Sequence, residues 1–302
     1  MKVVAVVVTY NNEDTVVARL TALNKQVNHI VVVDSASVDT TVERVKTLKY
    51  IELYRVLTNI GFTGGNNIGI EKALQHNPDY VFIVNPDVWL STNCVKKLLF
   101  QAETHVQNRI LGPVIYKDQK MQTIWSAGGT LDKKRYTAKL IGYDQKDIGQ
   151  FVQTNQVGFV SGTCMLVPRQ VLASGLRFYE PYFMYYEDVE FCVRAANQGF
   201  SSYVVGEATI IHHENSSQVA YEMNKRFYLA RNHLLFVERN APKVVQLREL
   251  IRLPWTLVEH FLLKNSPALR GIIAYLLRQF GIYDSQKIQN RSQTKTTFKN
   301  SG

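Results

Sequence analysis

Several side chains sit in settings where they could do chemistry. Glu187 and Asp188 follow an aromatic string of Tyr179, Tyr182, Phe183, Tyr185 and Tyr186, with Glu190 and Arg194 just beyond. The helix dipole alone favours acids in a first helical turn. An apolar frame also raises a carboxyl's proton affinity toward the working range of a general base. Asp87 ends Asn85-Pro86-Asp87, which reads either as a simple turn or as a seat for a hard divalent cation that also takes phosphate oxygens. Asp34 closes an apolar run and could hydrogen-bond a base or a ribose. His212 and His213 are neighbours in an extended segment, so at most one faces a site, as a structural residue or as a metal ligand. Gly61, Gly64, Gly65 and Gly69 in NIGFTGGNNIG allow a backbone to approach a ligand closely. GxGxxG after a first strand and GxxxxGK[ST] are both missing, which excludes a dinucleotide fingerprint and an ATPase-type phosphate loop.

Such residues need a scaffold, and the hydrophobic pattern describes one. Residues 3–8 (VVAVVV), 29–34 (HIVVVD) and 80–88 (YVFIVNPDV) are the continuous apolar runs of strands buried on both faces; 51–56 (IELYRV) alternates. Helices are expected at 13–24 and in SVDTTVERVKTL, and a loop, NIGFTGGNN, is expected to feed a helix at 66–76. The order β-α-β-α-β-α-β predicts an α/β fold with an open, mostly parallel sheet and helices on both faces. Ligands of such sheets bind at the carboxyl ends of the strands, where Thr9-Tyr10-Asn11, Asp34 and Asn85-Pro86-Asp87 fall. Further on come a helix at 95–102, WSAGGT, a polar stretch to about 155, GFVSGTCMLVPR, a helix over YYEDVEFCVRAANQGF, a strand at 201–213 and a helix at 219–240. Two apolar and basic helices, 243–264 and 268–282, flank Asn265-Ser266-Pro267, and residues 284–302 have the composition of a disordered tail. The expected organisation is a catalytic domain at 1–240, a basic amphipathic extension at 241–283 and the tail.

Composition narrows the partners. The 302 residues are 46% hydrophobic and 20% charged, which excludes wholesale disorder. The apolar runs fall short of the roughly 18–20 residues of a spanning helix, and the start reads as a strand rather than a signal peptide. Cys94, Cys164 and Cys192 are widely spaced without a CxxC pair, so no disulfide framework or cysteine zinc site is indicated and a cytoplasmic setting is expected. The net charge is +10, of which +7 lies in residues 243–302. A nucleic-acid enzyme would carry that charge around its site, so no nucleic-acid partner is expected. Basic residues interleaved with apolar ones in the last helices suit the inner face of a membrane, or else packing on the protein or in a homodimer.

Taken in order, VVVTYNN (6–12), VVDSASVDTT (32–41), NIGFTGGNNIG (59–69), NPDV (85–88), GTCMLVPR (162–169), FMYYEDVEFCVR (183–194), IIHHENSS (210–217) and RFYLARN (226–232) resemble glycosyltransferase family 2, nucleotide-sugar enzymes of the GT-A fold. GFTGGNN with FMYYEDVEF looks most like the rhamnosyltransferase-type branch that builds bacterial surface polysaccharide. The resemblance implies that Asp188 is the catalytic base of an inverting transfer. It implies that Thr9, Tyr10, Asn11 and Asp34 hold the nucleoside, and that Gly61, Phe62, Gly64, Gly65 and Asn66 lie by the ribose and phosphates. The resemblance further implies that Asn85, Trp125, Gly162, Glu187 and Arg231 complete the donor and acceptor pocket. Asp87 takes the place of the family's metal-binding acid, with Asn85 where an acid usually stands, and His212 fits the metal side better than His213; Mg2+ or Mn2+ is the implied cofactor. Glu190 stands where many relatives have Asp. The implied donor is dTDP-L-rhamnose, with a UDP-hexose or UDP-N-acetylhexosamine as alternatives, and the implied acceptor is a glycan or a polyprenyl-diphosphate-linked glycan. A catalytically silent, nucleotide-binding scaffold is the reading of a different class.

Overall fold

The computed structural model describes residues 1–104, 108–212 and 219–283. His213, Ser216, Ser217 and the tail from 284 lie outside the described residues. The chain divides into two compact units, Met1–Glu214 and Asn215–Gly302.

The first unit begins β1 (Val3–Thr9), α1 (Val16–Asn24), β2 (His29–Ser35), α2 (Thr41–Lys46), β3 (Ile51–Val56), α3 (Gly61–Gln75) and β4 (Tyr80–Val84), the expected alternation. It continues with β5 (Val88–Leu90), α4 (Cys94–Thr104), β6 (Ile110–Tyr116), β7 (Ile124–Ser126), β8 (Gly129–Asp132), β9 (Thr137–Leu140), β10 (Asn155–Val157), β11 (Cys164–Pro168) and α5 (Arg169–Ala173). A 3-10 turn at Glu180–Tyr182, α6 (Glu187–Asn197) and β12 (Ser202–His212) complete it. The main sheet has the order β10-β12-β6-β11-β4-β1-β2-β3, with β5 on β12 and β7 on β6. Strands β4, β1, β2 and β3 run parallel, and β11 enters antiparallel between β4 and β6. Chain order reverses between β1 and β4, so the crevice at their carboxyl ends is the switch point where open sheets take ligands. The apolar runs that mark β1, β2 and β4 are buried apart from the half-buried Val8, and with α1 and α4 they supply most of the core.

Two expectations change. The glycine segment is not a loop: α3 already starts at Gly61. A Cβ at Gly65 would lie 2.6 Å from Val8 Cγ1, and one at Gly69 would lie 2.2 Å from Val6 Cγ1. The glycines let this helix approach β1 more closely than any side chain permits, and that packing outweighs their poor helix propensity. The polar stretch to 155 holds the β8–β9 hairpin, whose four-residue strands carry too little alternation to be read from sequence.

The second unit contains α7 (Val219–Asn240), α8 (Lys243–Leu262) and α9 (Ser266–Leu276). A Cβ at Gly271 would lie 2.3 Å from the Phe227 carbonyl, so α9 sits tightly on α7. This packing groups α7 with the last two helices in one compact unit. Asn265 caps α9 by accepting from the Ala268 amide, and Pro267 follows in the first turn. Among the described residues no helix is long and apolar enough to cross a membrane.

Candidate active site

The loop after β1 is stitched to the loop after β2. Asp34 is almost fully buried and accepts from the Thr9 hydroxyl at 3.1 Å, the Ser37 amide at 3.0 Å and the Ser37 hydroxyl, with Arg55 Nε 3.8 Å away. The Asn11 amide donates to Ser37 Oγ at 2.9 Å, and Asn11 Oδ1 accepts from the Val38 amide at 2.9 Å. Asn11 holds a left-handed backbone (φ 54°), a conformation Asn tolerates better than most residues. Asp34 thus organises the pocket wall, while the neighbouring Tyr10 ring stays exposed, a flat apolar surface at the strand end.

On the other side of the switch point, β5 pairs antiparallel with β12 in a register that sets Val88 opposite His212. This brings Asp87 Oδ2 to 3.3 Å from His212 Nε2. The His212 ring meets Trp125 edge-on, 5.4 Å between centroids. Burial pushes the Asp87 carboxyl up, but the hydrogen bond and charge of His212, helped by Arg19, outweigh it and hold the group below the usual carboxylate value. Arg19 itself lies over the Trp89 ring at 3.1 Å. Asp87 Oδ1, His212 Nδ1 and Trp125 Nε1 are buried and have no hydrogen-bond partner among the described residues. Asp87 Oδ2 and His212 Nε2, 3.3 Å apart, are spaced as two ligands of one divalent cation are, and Asp87 Oδ1 is left over beside them, an arrangement that suits a cation whose other ligands come from a diphosphate.

Asp188 stands at the start of α6. Its Oδ2 accepts from the Gly162 amide at 2.9 Å and its Oδ1 from the Val189 amide at 2.8 Å. Burial raises its proton affinity, and the two amide bonds only partly counter this. Gly162 packs closely here: a Cβ there would lie 3.0 Å from the Phe62 ring and 3.2 Å from Asp188 Cβ, tight enough that these neighbours would have to give way. Glu187 is buried, its Oε2 has no partner among the described residues, and burial together with the Asp188 charge holds its carboxyl well above the usual value. Glu190 pairs with Arg194 at 2.8 Å across one helical turn. The approach to α6 is strained: Phe183, Tyr185 and Tyr186 all have φ between 65° and 73°. Such bulky residues leave the left-handed region unless their surroundings hold them there.

The holding comes from α3. The Thr63 amide donates to the Phe183 carbonyl at 3.2 Å, and the Thr63 hydroxyl to the Glu180 carbonyl at 3.1 Å. Asn67 spans the same turn, donating to the Phe178 carbonyl at 2.9 Å while Oδ1 accepts from the Phe178 amide at 2.9 Å. Gly61 (φ 72°) lies so close to Phe183 that a Cβ would sit 2.5 Å from its carbonyl oxygen. The Asn85 amide donates to the Thr163 carbonyl at 3.0 Å, so the turn carrying Asp87 is tied to the strand start that holds Gly162.

The structure therefore gathers Asp87, His212 and Trp125 into one cluster, and Phe62, Gly162, Glu187 and Asp188 into another, with Asn85 at the link. Thr9, Asn11 and Asp34 form the wall beside β1. Gly64 faces Ile60 and Gly65 faces Val8, so protein fills the space above both; Asn66 is buried and bonds back to the Phe62 carbonyl at 2.9 Å. Arg231 belongs to the second unit, where it donates to Asn232 Oδ1 and to the Gly281 carbonyl, each at 2.9 Å, and lies near the Tyr228 ring. Burial lowers its pKa to about 10, partly opposed by Tyr228. The sequence reading missed Ser37, Asn67, Thr163 and Arg19; the second Asn of the twin at 66–67 was the available clue for Asn67.

Comparison with known proteins fits this geometry. The model of the family "Glycosyl transferase family 2" matches residues 4–176, and the chain belongs to that family. Among curated relatives, the Haloferax volcanii low-salt glycan biosynthesis hexosyltransferase Agl10 is 28% identical over 184 residues, 59% of this chain and 57% of the relative. The Shigella flexneri dTDP-rhamnosyl transferase RfbF is 24% identical over 82% of this chain and 84% of the relative. The Mycobacterium tuberculosis N-acetylglucosaminyl-diphospho-decaprenol L-rhamnosyltransferase is 30% identical over 46% of this chain and 48% of the relative. The chain thus spans about half the length of two of these relatives, and it resembles the rhamnosyltransferase-like branch. Among solved structures, GalNAc-T7 with UDP, GalNAc and Mn2+ superposes with a TM-score of 0.61 at 13% identity, covering 79% of this chain and 48% of that one. The Pyrobaculum calidifontis mannosyltransferase PcManGT with GDP-Man and Mn2+ gives 0.55 at 17% identity, covering 98% and 80%. Both support the expected GT-A-like α/β fold.

Proposed function

We propose that this protein is an inverting, metal-dependent glycosyltransferase that moves a sugar, rhamnose from dTDP-L-rhamnose in the first place, to a hydroxyl of a surface glycan carried on a polyprenyl diphosphate. The observation that carries the reading is Asp188: a carboxylate of raised proton affinity, fixed by the Gly162 amide, at the ligand-binding end of a nucleotide-sugar fold. Asp188 takes the proton of the acceptor hydroxyl as that oxygen attacks the anomeric carbon. The bond to the nucleoside diphosphate breaks on the opposite face, so configuration inverts. Asp87 and His212 would hold Mg2+ or Mn2+, which when bound offsets the charge growing on the diphosphate. The wall of Thr9, Asn11 and Asp34 receives the nucleoside, with Tyr10 free to cover it. Trp125 borders the sugar beside His212. The Shigella and mycobacterial relatives support a rhamnosyl donor. The Haloferax hexosyltransferase supports a second reading, a hexose donor on the same machinery. The exposed apolar residues of α8, with Arg248 and Arg252 among them, suit a cytoplasmic enzyme seated on the inner face of the plasma membrane.

The test combines binding and turnover. Thermal unfolding is followed with dTDP, UDP and GDP, each with and without Mn2+, and product formation is followed from dTDP-rhamnose and UDP-hexoses. A Mn2+-dependent shift with dTDP and transfer of rhamnose are expected; a shift with UDP alone selects the hexose reading. Asp188→Asn is expected to lose at least about 100-fold in kcat, the low end of a general base's contribution, and to keep the nucleotide-induced shift. Normal turnover in that variant refutes the base assignment. A nucleotide-induced shift with no transfer from any donor leaves the silent, nucleotide-binding scaffold, and no shift with any nucleotide refutes both readings.

A further inference from the structure

A second cluster of metal-ligating side chains lies at the opposite end of the sheet. His29 opens β2, Glu52 is the second residue of β3, and His76 caps the carboxyl end of α3. Asp34 is five residues along β2 from His29, so the cluster is about 16 Å from the nucleotide wall at the usual rise of a strand. His29 Nε2 and His76 Nε2 converge on one oxygen, Glu52 Oε2, at 2.8 and 2.7 Å. The three candidate ligand atoms lie within 4.8 Å of one another. The rings face each other, with centroids 4.1 Å apart and planes tilted by 36°. The Tyr54 hydroxyl donates to the other Glu52 oxygen and so fixes the carboxylate's orientation. The three side chains are each about 30% exposed, so solvent can reach the point on which they converge.

We propose that His29, Glu52 and His76 form a transition-metal site of the Zn2+ class, distinct from the catalytic cation site. Two imidazoles and one carboxylate with an open fourth position are a familiar three-ligand zinc set. Tetrahedral ligands at the usual zinc distances stand about 3.3 Å apart, so opening each N···O contact by about half an ångström admits the ion. Imidazole favours zinc, copper or nickel over magnesium, which separates this site chemically from Asp87 and its diphosphate partner. Tyr54 acts as an outer partner that orients the carboxylate. Bound metal ties the amino ends of β2 and β3 to the end of α3, and its binding energy adds to the stability of that corner.

The experiment titrates ZnCl2 into the tag-free, chelator-stripped full chain by calorimetry, in excess Mg2+. Co2+ is used in parallel for the visible absorption of a tetrahedral site. One equivalent is expected to bind both wild type and Asp87→Asn, and zinc is expected to raise the melting temperature of both. Tyr54→Phe is expected to weaken binding about tenfold, and His29→Gln with His76→Gln by more than the roughly 100-fold that losing an outer partner can cost. Transfer activity in Mn2+ is expected to stay unchanged in the double variant. Should that pair disturb folding, Glu52→Gln, which keeps the side chain's size, makes the same comparison. Absence of zinc uptake by wild type, or equally tight uptake by the histidine double variant, overturns the assignment and leaves a hydrogen-bonded clasp.

Discussion

Asp188 and Glu187 are adjacent acids with different employments. Asp188 spends both oxygens on backbone amides, at Gly162 and Val189, and remains half-buried. Glu187 has a buried oxygen without a partner among the described residues and is held well above the ordinary carboxyl value of 4.5. A group whose proton affinity rises on folding contributes stability that is fully present below its unfolded pKa. That stability is lost as pH rises through the folded value. Ionised Glu187 therefore costs stability near neutrality, while neutral Gln does not. Glu187→Gln is expected to melt at a higher temperature than wild type at about pH 8, with the gap closing as the pH falls to about 4. Thermal unfolding across that range measures it; a gap independent of pH shows that Glu187 is not titrating in the folded chain. Asp188 carries the same sign of shift, so the rate of transfer is expected to fall with acid earlier than an ordinary Asp would dictate.

Helix α3 carries the link between sheet and site. Its first turn locks the strained Phe183 to Tyr186 segment, and its later face lies on β1 through Gly65 and Gly69. Gly69→Ala puts a methyl 2.2 Å from Val6 Cγ1 and is expected to cost about 1–3 kcal/mol, the usual price of overpacking. Val6→Ala in the same chain should return part of that loss, because the two residues share one contact. Denaturant unfolding of the four chains tests the coupling; strictly additive losses contradict it. This helix also marks the limit of what was legible in the sequence. The first strands, their alternation with helices and the acids at their carboxyl ends follow from apolar runs bounded by polar residues, and Asp34 and Asp87 stand where that pattern places them, while Asp188 opens α6, where an acidic first helical turn was legible. The glycines read as a loop because their weak helix propensity is a local signal, whereas their contact with Val6 and Val8 is made across the fold. Asn67, Ser37 and Thr163 were invisible for the same reason: each works through a partner brought close only by folding. The β8–β9 hairpin was lost to brevity, and the His29–Glu52–His76 cluster to the spacing of its members.

At the scale of the whole molecule, the last fifth of the chain carries most of the net charge, and α8 presents an apolar stripe rather than a polar outer face. Val244, Leu247, Ile251, Trp255, Val258 and Leu262 are exposed at intervals of three and four residues, with Leu250 and Phe261 beside them. The helix has 20 residues, about 30 Å at the rise of an α-helix, with Arg248 and Arg252 along the stripe's edge and Lys264 past its end. A helix of that pattern lies in an interface with its apolar side down, and basic residues near it are drawn to anionic lipid. We expect the full chain to sediment with phosphatidylcholine vesicles containing phosphatidylglycerol, more weakly without the anionic lipid, and less as salt rises. Each Lys or Arg near an anionic surface is worth about 1 kcal/mol, so reversing two charges with Arg248→Glu and Arg252→Glu should weaken binding at least roughly 30-fold. Trp255→Glu should abolish binding while the nucleotide-induced thermal shift persists, since Thr9, Asn11, Asp34 and Asp87, the residues proposed to receive the nucleotide, lie in the first compact unit. A concentration-dependent dimer that Trp255→Glu dissociates, with no vesicle binding by wild type, would instead assign the stripe to a second copy of the chain. The membrane reading matters for chemistry because an acceptor carried on a lipid diphosphate is confined to two dimensions. An enzyme held on the same surface meets it at a far higher effective concentration than one free in solution.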